Sequence, residues 1–298
     1  MVAGTVKYLV NLFKNSIATW NGRMEEWKKE KKPSNLPFFQ PSVFPANFAI
    51  KLFRTLVIYL AFFLSIAFMP DNFRLQQQKF DRVKTAYKEK ETLVKELFSS
   101  KGMDVSSSDL FFRVFKKEAQ FEVWAKKKGQ DKFVLITTYP ICASSGISGP
   151  KRKQGDGQVP EGFYEINYFN PSSNFYLSLG VSYPNASDRI LGEKGNLGGE
   201  IFIHGNCVTI GCMPITDDKI KELYLMAVEA KNGGQQHINV HIFPCRMNET
   251  SMKSLEMQYA DPKLHSFWKN IQKGYAFFEE KKILPVVSVE RSGEYSFN

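Results

Sequence analysis

The residues best equipped for chemistry lie in one short run, Ile201–Thr216 (IFIHGNCVTIGCMPIT). An apolar triplet, Ile201-Phe202-Ile203, delivers His204 beside Gly205, and Thr209 stands just ahead of Gly211-Cys212. A nucleophilic cysteine needs a base to form the thiolate, backbone donors for the oxyanion, and an open line of approach. His204 answers the first need, because imidazole titrates near neutrality and its cation stabilises a thiolate. Gly211 frees the backbone immediately before the sulfur, so that amides around Gly211–Met213 can face a developing oxyanion. The run then enters a helix whose N-terminal dipole favours a thiolate.

Other chemistry fits the same residues. A lone cysteine in a loop is commonly a small buried apolar group. His204, Cys207 and Cys212, with His241 elsewhere, would make a Cys/His zinc site, although their spacing matches no common structural zinc pattern and the chain has no CxxC. A Cys207–Cys212 disulfide would block the thiol. Four cysteines are too few for a disulfide scaffold in 298 residues, but the even count allows one pair. Cys142 with Cys245 is the candidate, since both lie in strand-like runs.

The elements that must carry these residues follow from hydropathy and breakers. Residues 1–47 form a basic leader, and residues 1–54 hold nine Lys/Arg against three acids, a local +6 within a total of +10. That asymmetry suits the cytoplasmic flank of a membrane segment and, with no nucleic-acid motif present, does not point to nucleic acid. Residues 48–69 contain the apolar run Thr55–Met69 and read as a transmembrane anchor, or alternatively as a signal segment with Ser65-Ile66-Ala67 as a cleavage site. Residues 72–102 read as a charged amphipathic helix, with Phe80, Val83, Tyr87, Val94, Leu97 and Phe98 at helical spacing. Over 110–298 the pattern predicts strands at Leu110–Phe115, Phe121–Ala125, Phe133–Thr138, Gly162–Tyr168, Phe175–Gly180, Ile201–His204 and Ile238–Phe243. It also predicts helices at Asp217–Ala230, capped by Thr216, and at Lys263–Phe278. The class is mixed α+β, a β-rich domain with a sandwich or barrel-like core and a few helices.

The motif IHGNCVTIGC resembles the catalytic signature of the YkuD-type L,D-transpeptidases, in which a histidine precedes [Ser/Thr]-x-Gly-Cys, and is closest to the family's YafK-like branch. Ser145–Tyr164 (SGISGPKRKQGDGQVPEGFY), Asn170-Pro171, Leu177–Leu179, Tyr183–Arg189, His241–Met247, Phe267-Trp268 and Gly274-Tyr275 resemble further elements of that branch in the same order. The likeness covers about residues 72–298. One departure from the wider family is Ile210, where a second histidine usually stands.

The resemblance implies a bacterial envelope enzyme acting on peptidoglycan stem peptides, with Cys212 attacking a peptide carbonyl and His204 moving the proton. It implies a substrate or positioning role for Thr209, and backbone roles for Gly205, Gly211 and Met213. Stem peptides carry carboxylates, so cations make sense in the cleft: Arg189 and Arg152 are the candidates, with Lys151 and Lys153 beside them and Tyr183 as a lining residue. No metal or other cofactor is expected. Partners would be the stem peptides, a wall-attached envelope protein, and the inner membrane through residues 48–69, with the catalytic domain in the periplasm. Crosslinking by acyl transfer leads; hydrolysis by the same Cys/His pair, as an L,D-peptidase or amidase, is the alternative. A non-catalytic peptidoglycan-binding anchor is a reading from another class.

Overall fold

The computed structural model describes residues 72–298. The leader over 1–47 and the apolar segment over 48–69 lie outside the described residues, and among the described residues no helix is long and apolar enough to cross a membrane.

Strand β1 (Ser108–Phe115) sets the architecture because it is apolar on both faces. Leu110, Phe112 and Val114 point to one side, and Phe111 and Phe115 to the other, as the two-residue period of a strand requires. A strand of that kind needs cover above and below, which a sheet open to water on one face does not give. It pairs antiparallel with β2 (Gln120–Lys127), which pairs with β3 (Val134–Pro140), and parallel with β8 (Asn239–Phe243). Beyond β8 come β4 (Gly162–Asn170), β5 (Ser178–Val181), β6 (Phe202–His204) and β7 (Met213–Pro214), giving the order β3-β2-β1-β8-β4-β5-β6-β7.

This is one curled sheet, a half-barrel, which answers to the barrel-like core the sequence suggested and not to the sandwich. The bend lies inside β4: Gly162–Glu165 pair with β8, whereas Ile166–Asn170 pair with β5 across a register shift between Ile166 and Tyr168. An irregularity of this type bends its strand and increases local twist.

Each face has its own core. On one side lie α2 (Asp81–Ser99) and α4 (Thr216–Asn232), which follow a short α1 (Phe73–Gln77) and the last strand, β7, respectively. Val83, Val94 and Phe98 of α2 and Leu223, Ala227 and Val228 of α4 pack there with Leu110, Phe112, Val123, Val240 and Ile242. On the other side, after α3 (Ala186–Leu191) and α5 (Glu249–Gln258), α6 (Pro262–Lys281) lays Trp268, Ile271, Tyr275 and Phe278 against Phe111, Phe115, Phe163 and Phe243. A hairpin of β9 (Val287–Val289) and β10 (Tyr295–Phe297) closes that face. Each fully buried Phe contributes about 1.5–3 kcal/mol over its exposed state, so the three phenylalanines of β1 alone hold both layers to the sheet.

The single helix expected over 72–102 is broken into α1 and α2. Asn72 caps α1 by accepting from Leu75 N–H, and Gln77 at its end is buried, accepting from the Tyr224 hydroxyl at 2.7 Å. The helix expected from Asp217 begins one residue earlier, yet the Thr216 hydroxyl accepts from Lys219 N–H at 3.3 Å as an N-cap would. His241 is buried between Phe111 and Phe163, with ring centroids 4.5 and 4.6 Å away, and burial pushes its pKa well below the usual histidine value. It belongs to the core, away from the zinc alternative.

One buried carboxylate ties the layers together. Glu161, fully buried, accepts from Lys116 Nζ at 2.9 Å, from Gly149 N–H at 2.7 Å and from Trp268 Nε1 at 2.9 Å. Lys116 Nζ also donates to the Gly149 and Val159 carbonyls, at 2.8 and 3.0 Å. Removing one partner of a buried pair leaves an uncompensated charge, at a cost of about 3–5 kcal/mol. Glu161→Ala should therefore lower the unfolding free energy by about that amount in a urea titration, and Glu161→Gln by less, since it keeps an acceptor for Trp268.

Candidate active site

Strand pairing brings the segments that carry Cys212 and His204 alongside each other. β6 and β7 run parallel, with Ile203 opposite Met213 and His204 opposite Pro214, and Ile215 N–H donates to the His204 carbonyl at 3.0 Å. Cys212 therefore stands one step before β7, on the strand beside the one that ends at His204.

The connection between them is held at both ends. Asn206 N–H donates to the Asp217 carboxylate at 2.8 Å, anchoring the loop to the first turn of α4. A Cβ at position 205 would collide with that same carboxylate and stand 3.0 Å from the Phe175 carbonyl, so only glycine fits. Gly211 has φ +139°, in a region L side chains rarely adopt, and a Cβ there would lie 3.1 Å from the Gln158 carbonyl. Thr209 closes the turn: its hydroxyl donates to the Cys212 carbonyl at 2.8 Å and accepts from Gly211 N–H at 3.1 Å and Cys212 N–H at 2.8 Å. The sequence suggested that Thr209 orients substrate and that amides of this stretch face an oxyanion. The structure instead directs the Gly211 and Cys212 amides at Thr209, and the Gly205 amide at the Leu177 carbonyl.

His204 is 1% exposed and stacks on Phe175, ring centroids 4.5 Å apart. Its Nδ1 contacts the Gly205 carbonyl, which assigns the proton to Nδ1 and leaves the lone pair on Nε2. Burial pushes the imidazole below its usual pKa, with the Gly205 contact opposing. The Cys212 thiol, half-buried, donates to the Glu200 carbonyl at 3.6 Å, and burial raises its pKa against a contact with the Phe202 backbone. Burial thus favours the neutral form of both groups.

Cys212 and Met213 line a cleft of about 240 Å³ whose opposite wall is the loop Ala143–Ser148, with Lys116, Lys117 and Gln258 at its edges. A disulfide joins Cys142 to Cys207, Cα atoms 5.4 Å apart, and so fastens that wall to the loop carrying the thiol. This corrects the expected Cys142–Cys245 pair. Cys142 N–H donates to the Pro214 carbonyl at 3.0 Å, which sets the end of β3 beside β7 and its loop, whereas Cys245 is fully buried under α6 with Phe115 and Phe243. The same bond takes Cys207 away from the zinc and Cys207–Cys212 alternatives, and Cys212 is free.

The expected substrate contacts are elsewhere. Arg189 is exposed on α3, and among the described residues it makes no ion pair. Arg152 lies over the Phe267 ring at 4.9 Å and 3.5 Å from Asp188, a buried carboxyl pushed up to about 6 by burial. Lys151 is buried on Asp156 at 2.6 Å, and Lys153 reaches Glu193 at 3.3 Å on the surface. Tyr183 is a core residue whose hydroxyl donates to the Leu197 carbonyl at 3.1 Å. The cleft instead presents Lys117, Ser145 and Gln258. Ser145 lies in a segment marked by its motif, but nothing in the local pattern singles out Lys117 or Gln258, which arrive from the β1–β2 turn and the end of α5.

The model of the YkuD family, described as an L,D-transpeptidase catalytic domain, matches residues 112–238. The chain is 36% identical over 184 residues to "Putative L,D-transpeptidase YafK" of Escherichia coli (strain K12), covering 61% of this chain and 71% of that protein. Among solved structures, the helical cell shape determining protein Pgp2 from Campylobacter jejuni aligns at 16% identity and a TM-score of 0.38, over 62% of this chain and 73% of the other. Bd1075 of Bdellovibrio bacteriovorus aligns at 22% and 0.33, over 58% and 57%.

The geometry makes two outcomes measurable. A thiol reagent on the native protein should modify Cys212 well before Cys245, and Cys142 and Cys207 should react only after reduction, as read by peptide mass spectrometry; faster labelling of Cys245 would contradict the placement. Thr209→Val removes the hydroxyl that holds two amides and should destabilise the fold by about 1–3 kcal/mol, whereas Thr209→Ser should retain most of the stability in thermal unfolding.

Proposed function

The chain belongs to the YkuD L,D-transpeptidase family, and on that premise we propose that it is a peptidoglycan L,D-transpeptidase working through a thioester on Cys212. The observation that supports the proposal is the parallel β6–β7 pairing, which runs the strand ending at His204 alongside the segment that follows Cys212, together with a free Cys212 thiol that lines an open cleft.

In the proposed reaction the thiol swings from the Glu200 carbonyl and gives its proton to His204 Nε2. The thiolate attacks the carbonyl of the diaminopimelyl residue of a stem peptide. His204 returns the proton to the amine of the departing D-alanine, leaving the acyl group on sulfur. An amine of a second stem then attacks the thioester, its proton passes to His204, and the thiol is regenerated as the new amide forms. Thr209 and the two glycines act as positioning residues in this scheme. No cofactor is required, since the base and the nucleophile both come from the chain.

The Cys142–Cys207 bond supports a setting outside the reducing cytoplasm, in keeping with a periplasmic catalytic domain and residues 48–69 as an inner-membrane anchor or export signal. The substrate is the stem peptide of the wall.

Incubating the full chain with disaccharide tetrapeptides and analysing products by mass spectrometry tests the proposal. Crosslinked dimers that have lost D-alanine, absent with Cys212→Ala, are expected. Shortened monomers alone would replace transfer by hydrolysis, and wall binding with no product from the intact protein would make the domain an anchor.

The pH profile carries a second expectation. His204 must be unprotonated to act as base, and burial lowers its pKa, so the acidic limb of kcat/KM should fall below the ordinary histidine value of about 6.5. A limb clearly above that value would remove His204 from the role.

A further inference from the structure

His204 is covered by a turn whose aromatic ring the core does not use. Residues 171–177 join β4 to β5, and the β5–β6 register sets Ser178, just past the turn, opposite His204. The turn holds its own shape: the Asn170 side chain accepts from Ser172 N–H at 3.1 Å, and the Ser173 hydroxyl from Phe175 N–H at 3.1 Å. The Phe175 ring is 38% exposed and joins none of the hydrophobic clusters. It lies instead on the imidazole, with centroids 4.5 Å apart and planes at 29°. Its backbone closes on the next residue, because the Phe175 carbonyl stands 3.0 Å from the place where a side chain at Gly205 would begin. The Gly205 carbonyl is in turn the partner of His204 Nδ1. Phe175 therefore grips both the ring of His204 and the peptide that holds one of its nitrogens.

Arg82, on α2, anchors that turn from another layer of the fold. Its Nη1 donates to the Ser173 and Tyr176 carbonyls, at 2.5 and 2.7 Å, and its guanidinium lies 5.6 Å from the Tyr176 ring. Lys221 of α4 lies 5.5 Å from the same ring. Hydrogen bonds from a charged donor are the stronger kind, and the two accepting carbonyls bracket Phe175 in the chain.

We infer that Phe175 is a positioning residue for His204 and that Arg82 holds it in place, so that α2 sets the orientation and tautomer of the imidazole. A histidine ring can turn over about its own bond, and its proton can sit on either nitrogen. The stacked ring removes the room for the first, and the Gly205 carbonyl selects Nδ1–H for the second. What remains is one orientation with the Nε2 lone pair free. The consequence for catalysis rests on the reading of His204 as the general base; the hold on the ring does not.

The test follows His204 by NMR in the full chain, isotope-labelled at the histidine nitrogens, at a pH where the ring is neutral. Of the four histidines, the one whose signals vanish in His204→Gln is His204. In the wild type it should be a single Nδ1–H tautomer. Phe175→Ala should give a mixture of tautomers, Arg82→Gln a smaller admixture, and Phe175→Tyr, which keeps the ring, the wild-type pattern. On disaccharide tetrapeptides, Phe175→Ala should lower kcat about tenfold with KM unchanged, the mark of a misoriented base and not of lost binding. A ring that only packs would lower the melting temperature and leave tautomer and kcat as they are. A single Nδ1–H tautomer in Phe175→Ala overturns the role of Phe175, and in Arg82→Gln that of Arg82. The second variant alters an exposed side chain and keeps the test decisive should Phe175→Ala fail to fold. If the wild type forms neither thioester nor dimer while the tautomers shift as expected, the transpeptidase reading fails and the positioning of His204 stands.

Discussion

The Glu161 carboxylate is the constraint on which the site depends. It has no contact with solvent, and its three donors come from three places: Lys116 at the end of β1, Gly149 at the end of the cleft wall, and Trp268 on α6. A charge in that position is tolerated only when its lone pairs are satisfied and its counterion is close. Satisfying them fixes the turn that carries Lys117, the loop that carries Ser145, and the layer beneath both. The opposite wall is fixed separately, by Thr209 within its turn and Asp217 at its start. The cleft is the gap between two braced pieces of backbone, which the Cys142–Cys207 bond ties to each other.

The two chemical groups are held differently. His204 is rigid, stacked on Phe175 and tied by Nδ1, so its tautomer is set before substrate arrives. Cys212 is fixed in its backbone, and its thiol is held only by the Glu200 carbonyl at 3.6 Å and a contact with the Phe202 backbone. A preset base and a movable nucleophile suit a reaction in which the sulfur must first meet a carbonyl and then release it. Neutrality at rest also spares the fold a buried ion pair, whose desolvation is expensive.

How much of this the sequence disclosed depends on how local each feature is. The His204-Gly205 and Gly211-Cys212 pairs were legible because they lie in one run, and their glycines are needed for reasons a few bonds away. The strands were legible through their alternation, and the helices over Asp217–Ala230 and Lys263–Phe278 through their periodicity. The curl in β4 was not, because it arises where one strand changes partners. Cys142 met Cys207 instead of Cys245 because the curl of the sheet brings the ends of its two edge strands, β3 and β7, together, and nothing in the spacing encodes that curl. Arg189 stood in a motif and drew attention, whereas Lys117 entered the cleft from a turn with no motif. Residues 1–71 lie outside the described structure, so the basic leader and apolar segment rest on the sequence alone.

The pairing of Cys142 with Cys207 also has a bearing on how long the protein survives in oxidising surroundings. Cys207 is the cysteine nearest to Cys212 in the chain, and a free thiol there would be a ready partner for internal oxidation of the sulfur on which the proposed reaction depends. Locked to Cys142, it is withdrawn from exchange, and Cys245 is sealed under α6. Cys212 is left without an unpaired neighbour of its own chain. Oxidation of this sulfur then proceeds through external oxidants to a sulfenic acid, which a small thiol can reverse, instead of ending in an intramolecular bond.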